Sequence, residues 1–287
     1  MIYLLISICI SSFLFVVFKL FEVLKINSLQ AIIVNYFVAS TLGFYLSDIP
    51  VSFQEIPNKP WFLGAILLSV LFISVFNLMA LTSQQNGLSV ASVAGKMSVV
   101  IPIIFGIWVY NENVGFVKVI GILLALIAVY LTSVKGNEGK SKNSNLLFPI
   151  LLFIGAGLID TGLKYLETVY VKEGGVPVFS ATIFGLAFLL GMIILIVNII
   201  KGKFSFHYRN VLGGILLGVP NYFSIVYLLK ALSTEGMESS TAFTLNNVGV
   251  VILSTIFGLI IFKEKLIAKN WVGIVIAIIS IIIVASF

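Results

Sequence analysis

Of the 287 residues, 60% are hydrophobic and 10% are charged, against about 45–50% and roughly a quarter in soluble domains, so there is too little polar surface to clothe a soluble globule. The net charge of +6 does not point to nucleic acid, because Lys and Arg stand mainly in short segments between apolar runs, as they do in membrane proteins. The single cysteine, Cys9, excludes an internal disulfide and, with no metal-ligand spacing around it, reads as a packing residue.

A helix crosses the hydrocarbon core with about 20 apolar residues, and polar, Gly and Pro punctuation cuts the chain into ten runs of that order. Ile2–Val23 lacks a basic n-region and a small-residue cleavage site, so it reads as a retained helix and not a signal peptide. Ser28–Ser47 carries Asn35 and Tyr36, and the polar stretch Ser47–Pro60 after it reads as a surface loop. Pro60–Thr82 carries Asn77, Leu88–Tyr110 carries Lys96 and Pro102, and Gly115–Val134 ends the first half. Lys135–Asn145 (KGNEGKSKNSN) is the clearest polar linker and separates residues 1–134 from 146–287. Beyond it come Leu146–Val171 with Asp160 and Lys164, Val176–Ile200, and Asn210–Leu232 with Pro220, Asn221 and Tyr222. Glu238–Phe262, with Thr244, Asn246 and Asn247, and Ala268–Ser286 complete the chain. The tail lacks the period-two alternation of a membrane barrel strand, so the expected class is an all-α integral membrane protein.

The two halves match each other. With a shift of 152, Phe105-Gly106 falls on Phe257-Gly258, Glu112 on Glu264, Gly121-Ile122 on Gly273-Ile274 and Ala125 on Ala277. Ala80-Leu81 falls on Ala231-Leu232 after a one-residue slip, and Lys19-x-x-Glu22 matches Lys164-x-x-Glu167 near the start of each half. Five helices per half is an odd number, so the second copy enters the membrane in the opposite sense. The expectation is two inverted five-helix repeats, 1–134 and 146–287, whose interface carries a site that meets each side in turn.

On these residues the sequence resembles the ten-helix EamA-like branch of the drug/metabolite transporter superfamily, over essentially the whole chain. The resemblance is carried by the Ala-Leu pairs ending helices three and eight, and by the Pro102-bearing fourth helix ending in Tyr110-Asn111-Glu112. The Lys263-Glu264-Lys265 turn and the openings of helices five and ten at Gly121 and Gly273 complete it. It implies a carrier with a central cavity lined mainly by helices one to four and six to nine, with helices five and ten peripheral and available for association as a homodimer. The chain departs from the pattern at Asn35, where relatives often have Arg, so an anion-binding role for that Arg is not implied here.

Ionisable groups at membrane depth cost a few kcal/mol, roughly, unless paired or hydrated, which makes each a candidate for function. Lys96 lies about 12 Å into its run, too deep for easy snorkelling, and reads as a cation for a substrate carboxylate or phosphate, or as a structural lysine in a wet crevice. Asp160 and Lys164 are spaced for an intrahelical ion pair, or Asp160 accepts and releases a coupling proton. Lys19 and Lys164 each have Glu three residues on and read as salt bridges or anchors, while Glu112 and Glu264 cap the next helix or pair with Lys. Asn35, Tyr36, Asn77, Asn221, Tyr222, Thr244, Asn246 and Asn247 either line a polar pocket or hydrogen-bond between helices. Pro102 and Pro220 are hinge candidates or simple kinks.

No His/Cys cluster, phosphate-binding Gly loop or nucleophile elbow occurs, so no metal, cofactor or enzymatic activity is expected. The reading is a multi-pass protein of the bacterial inner membrane, a secondary transporter exporting a small organic metabolite such as an amino acid or other polar or anionic compound. Proton coupling through Asp160 is a hypothesis within that reading. The alternative on the same fold is a flippase that meets an anionic lipid head at Lys96. Ten Lys/Arg residues in loops after odd-numbered helices against four by the others put both termini outside, whereas the resemblance implies termini inside.

Overall fold

The computed structural model describes residues 1–47, 52–110, 116–133, 146–171, 175–232 and 239–286, with only the backbone described at 106–110, 118, 232, 239–241, 244 and 284–286. Among these residues the regular elements are α1 Ile2–Val23, α2 Ser28–Tyr45, α3 Phe62–Gln85, α4 Leu88–Met97, α5 Val100–Tyr110, α6 Phe116–Ser133, α7 Leu147–Tyr170, α8 Val176–Ile200, α9 Tyr208–Leu232, α10 Ser239–Ile261 and α11 Ala268–Ser286. One short 3₁₀ turn, Ile56–Asn58, joins them. Seven spans satisfy the length and hydropathy of a membrane crossing, α4 and α5 together making one of them, and three more apolar helices are shorter. The all-α membrane class is therefore the fold, and helix boundaries agree with the apolar runs to within three residues. The linker Lys135–Asn145 and Glu112 lie outside the described residues.

The fourth run departs from its expected single helix. It breaks at Ser98 and Val99, four residues before Pro102. Proline has no N–H for the Ser98 carbonyl, and its ring crowds that oxygen. Ile101 N–H donates to Ser98 O instead, at 2.9 Å, tightening the chain at the break. Pro220 has no such effect, because α9 runs through it as one helix. Along the seam with α2, α9 carries Gly214 and Gly218 one turn apart. A Cβ at these positions would lie 2.6 Å from the Ala31 carbonyl oxygen and 2.9 Å from that of Asn35, so only glycine permits this approach.

The halves interleave. α2 packs on α8 and α9, α1 on α9 and α10, α3 on α7 and α8, α4 on α7 and α10, and α6 on α11. Exchanging the halves maps α2–α9 onto α8–α3, α1–α9 onto α7–α3 and α1–α10 onto α7–α4, while α2–α8, α4–α10 and α6–α11 map onto themselves. The α6–α11 seam is fastened by Asn270 Nδ2 donating to Thr132 O at 2.8 Å and Ser280 Oγ to Gly121 O at 2.8 Å. Leu123, Leu126, Ile279 and Ile282 are exposed on its outer side.

One core surrounds Phe15, Met97, Phe153 and Val250, and a second surrounds Tyr36, Phe76, Phe184 and Leu217. The stretch before α3, expected to be surface loop, anchors a third cluster: Ile56 and Trp61 are buried, and Trp61 meets Phe179 edge-on with ring centroids 5.3 Å apart. Cys9 is exposed on α1, so the expectation of a packed cysteine is corrected. An unbranched apolar side chain of its size is equally at home against lipid.

Candidate functional site

The helix break gathers the charged candidates. Lys96 occupies the last turn of α4 and Ser98 the break itself. On α7, Leu147, Ile154 and Leu158 form an exposed apolar stripe. Asp160 follows Leu158 by two residues, about 200° around the helix at 3.6 residues per turn, and therefore points away from that stripe. Lys96 and Asp160 stand on α4 and α7, which pack together, and Asp160 is exposed and Lys96 partly exposed.

The two charges do not touch. Among the described residues Lys96 and Asp160 form no ion pair within 4.0 Å, unlike Lys19–Glu22 at 2.6 Å and Lys59–Glu55 at 3.4 Å. Ser98 Oγ donates to its own helix at Gly95 O, 2.6 Å, and reaches Asp160 Oδ2 only at 3.5 Å. Of the two readings of Asp160, the ion pair with Lys164 is also not formed within 4.0 Å. Lys164 lies instead beside Pro102, Phe105, Thr161 and Tyr165.

The amide candidates fall elsewhere. Asn221 Nδ2 donates to Asn35 Oδ1 at 3.2 Å, Ser224 Oγ to Asn221 O at 2.8 Å, and Ser7 Oγ contacts both Ser224 O at 3.1 Å and Asn246 Oδ1 at 3.3 Å. Asn35, Asn221 and Asn246 thus belong to a hydrogen-bond chain tying α2, α9, α1 and α10. The buried Asn35 Nδ2 has no partner among the described residues. Sequence reading passed over Ser7 and Ser224, because single serines are common in apolar helices and carry no spacing signal. Tyr36 is fully buried in an aromatic cluster with its hydroxyl donating to Phe72 O at 2.7 Å, and Asn77 Nδ2 donates to Ile73 O of its own helix at 2.7 Å. Tyr222 meets Phe223 edge-on with centroids 5.4 Å apart, Asn247 is partly buried, and the Thr244 side chain lies outside the described residues.

A separate polar zone closes one end of the bundle, where α1 and α3 finish and α2, α4 and α9 begin. Lys19 Nζ bonds Glu22 at 2.6 Å and Gln84 O at 2.7 Å, joining α1 to α3. Asn210 Oδ1 accepts from Asn27 N–H at 3.0 Å. Glu264, read from the sequence as capping the next helix or pairing with Lys, caps a helix in the other half instead. Its Oε1 accepts from Leu88 N–H at 2.6 Å and its Oε2 from Ser89 Oγ at 3.2 Å, at the N-terminus of α4. A carboxylate there meets unsatisfied N–H groups and the positive end of the helix dipole. Gly87, at φ +106°, makes room for it, because a Cβ would sit 2.9 Å from Glu264 Oε1. A cavity of about 380 Å³ beside this zone is lined by Glu22, Lys25, Gln84, His207 and Asn210, away from Lys96.

An all-helical bundle with seven spans long and apolar enough to cross a membrane defines an integral multi-pass membrane protein. The chain belongs to the EamA-like transporter family, whose model matches residues 1–134. An uncharacterized protein of Haemophilus influenzae is 30% identical over 255 residues, covering 86% of this chain and 84% of that one. A solved crystal structure is similar over 97% of both chains, with a TM-score of 0.56 and 12% identity, a likeness of fold alone.

Proposed function

We propose that the protein is an alternating-access secondary transporter of the bacterial inner membrane, exporting a small organic metabolite that binds at Lys96 and Asp160. The observation that carries this reading is a pair of opposite charges beside a helix break, Lys96 and Asp160, that form no ion pair within 4.0 Å. Discontinuous spans with free backbone groups at mid-membrane are where secondary transporters hold substrate. A lysine and an aspartate so placed each cost about 2.5–3.5 kcal/mol to insert, and a purely structural pair would recover some of that by closing the gap.

Two inverted repeats fit this role, and two features support them. Contacts between the halves come in exchangeable pairs. The repeated Lys-x-x-Glu motif is found in two states: Lys19–Glu22 is formed and tied to α3, while Lys164–Glu167 is not formed within 4.0 Å. Halves that swap roles between outward- and inward-facing states would exchange these two arrangements.

Reconstitution in proteoliposomes tests the reading. The expected result is saturable counterflow of a radiolabelled solute from a panel of amino acids and small organic acids, with Lys96→Met abolishing it. Movement of labelled phospholipid with no solute counterflow would instead establish a flippase.

A further inference from the structure

We infer that the cavity at the end of the bundle where α1 finishes and α2 and α9 begin holds the headgroup of an anionic phospholipid, its phosphate on Lys25 and His207. The site lies apart from Lys96 and Asp160 and does not depend on what the protein carries.

The first argument is which groups the cavity leaves free. It encloses about 380 Å³, and its wall includes Glu22, Lys25, Asn27, Ser205, His207 and Asn210. Several of these are committed to structure. Asn27 N–H donates to Asn210 Oδ1 at 3.0 Å, Asn210 Nδ2 to Gln30 Oε1 at 2.6 Å and Gln30 Nε2 to Ser205 O at 3.2 Å, which ties α2 to the loop before α9. The Glu22 carboxylate is neutralised by Lys19 Nζ at 2.6 Å. Among the described residues, the Lys25 ammonium, the Asn27 Nδ2 amide and the His207 imidazole have no partner. An ammonium and an amide nitrogen only donate, and an imidazole always offers at least one N–H. Uncommitted donors converging with one free positive charge suit an anion with several acceptor oxygens, and a phosphate presents them.

The second argument is depth. The cavity lies where spans end, and Val23, Leu24, Phe206 and Tyr208 beside it are exposed. Apolar and aromatic side chains at the end of a span belong at the headgroup level of a bilayer. A lipid whose phosphate enters the cavity lays its glycerol and upper acyl chains over these side chains, whereas a free phosphate would leave them bare. Lys201, Lys203 and Arg209 stand in the surrounding segment without lining the cavity, and basic clusters at span ends draw anionic lipid.

The third argument is position between the halves. Lys25 comes from residues 1–134 and His207 from 146–287, so one headgroup touching both adds to the Asn27–Asn210 and Gln30–Ser205 ties. A lipid that binds only the folded arrangement stabilises it by mass action.

The test uses the full-length protein in a neutral detergent at high salt, which screens diffuse attraction to the basic surface. It is titrated with dioctanoyl phosphatidylglycerol, with dioctanoyl phosphatidylcholine and with inorganic phosphate, and the midpoint of thermal unfolding is followed against concentration. We expect phosphatidylglycerol alone to raise the midpoint, and to do so saturably. Lys25→Asn should weaken the apparent affinity about fivefold, the scale of one basic residue at an anionic surface. Asparagine suits the φ of +54° at this position, so the fold is kept. His207→Ala should weaken it about threefold, as loss of one hydrogen bond does. Lys25→Arg, which keeps the charge, and Lys201→Gln, which removes a charge outside the cavity, should each stay within about twofold of wild type. Affinity is read from the concentration dependence, so a changed starting stability in a variant does not alter it. Equal shifts with phosphatidylcholine would overturn the anionic headgroup, and equal shifts with inorganic phosphate would overturn the lipid. A loss in Lys201→Gln as large as in Lys25→Asn would overturn the site itself.

Discussion

The fourth and ninth spans match each other under the shift of 152 and pack against each other, yet one is broken and the other whole. α4 and α5 part at Ser98 and Val99, while α10 runs unbroken from Ser239 to Ile261. Under the shift of 152, Ser254 stands at the place of Pro102, and its hydroxyl bonds Val251 O at 3.1 Å inside an ordinary helix. The same contrast separates α1 from α7, where Phe15 stands at the place of Asp160 when Lys19 is aligned on Lys164, and one Lys-x-x-Glu pair is closed while its match is not. The charged candidates thus stand at positions where the two matched halves of the sequence depart from each other.

The largest expected effect tests whether the charge in the fourth span has an equal in the ninth. Lys96→Met should lower solute counterflow by about a hundredfold or more while leaving thermal stability unchanged or higher, because it removes an insertion cost of about 2.5–3.5 kcal/mol. Val248→Met should stay within about threefold of wild type, since it changes only apolar volume. Equal losses in the two variants would end the claim of asymmetry.

Next is the break. Pro102→Ala restores the missing N–H and should join α4 to α5, slowing transport about tenfold and protecting the amides around Ser98 from hydrogen exchange. Pro220→Ala, in a span that is already continuous, should change the rate less than about twofold. A Pro102→Ala protein with wild-type rate would show that the break is idle.

The two Lys-x-x-Glu copies should respond in opposite directions. In a Cys9→Ser background with Gln84→Cys as reporter, Lys19→Met should speed thiol labelling about fivefold and Lys164→Met should slow it, a shift of roughly 1 kcal/mol in the balance of states. The same direction in both variants would mean that they are independent anchors.

The smallest effect concerns the tie between the halves at the start of α4. Glu264→Ala should reduce stability by about 1–2 kcal/mol, as loss of an N-terminal cap does, read as a lower midpoint in thermal unfolding of the detergent-solubilised protein. Glu264→Gln, which can still accept hydrogen bonds, should lose about half as much.

Much of this molecule was legible in the order of its residues. The ten spans follow from apolar runs long enough to cross a bilayer, because lipid requires every backbone group to be satisfied inside a helix. The family is readable from Ala-Leu, Tyr-Asn-Glu and Lys-Glu-Lys elements at matching places in each half. Lys96 and Asp160 stood out singly, since a charge in an apolar run is conspicuous wherever it occurs. The linear pattern could not tell which partners they have. It offered Asp160 with Lys164, one turn away, as one reading, and in the bundle that pair does not form within 4.0 Å. The same limit applied to Asn35, Asn221 and Asn246, which the packing of α2, α9, α1 and α10 draws into one hydrogen-bond chain, and to Glu264, which caps a helix 176 residues away. Hydropathy and helix length are properties of consecutive residues, so the sequence alone determines the spans. Which charges meet, and which are left apart, depends on the rotation of each helix against its neighbours, and only the tertiary structure decides that.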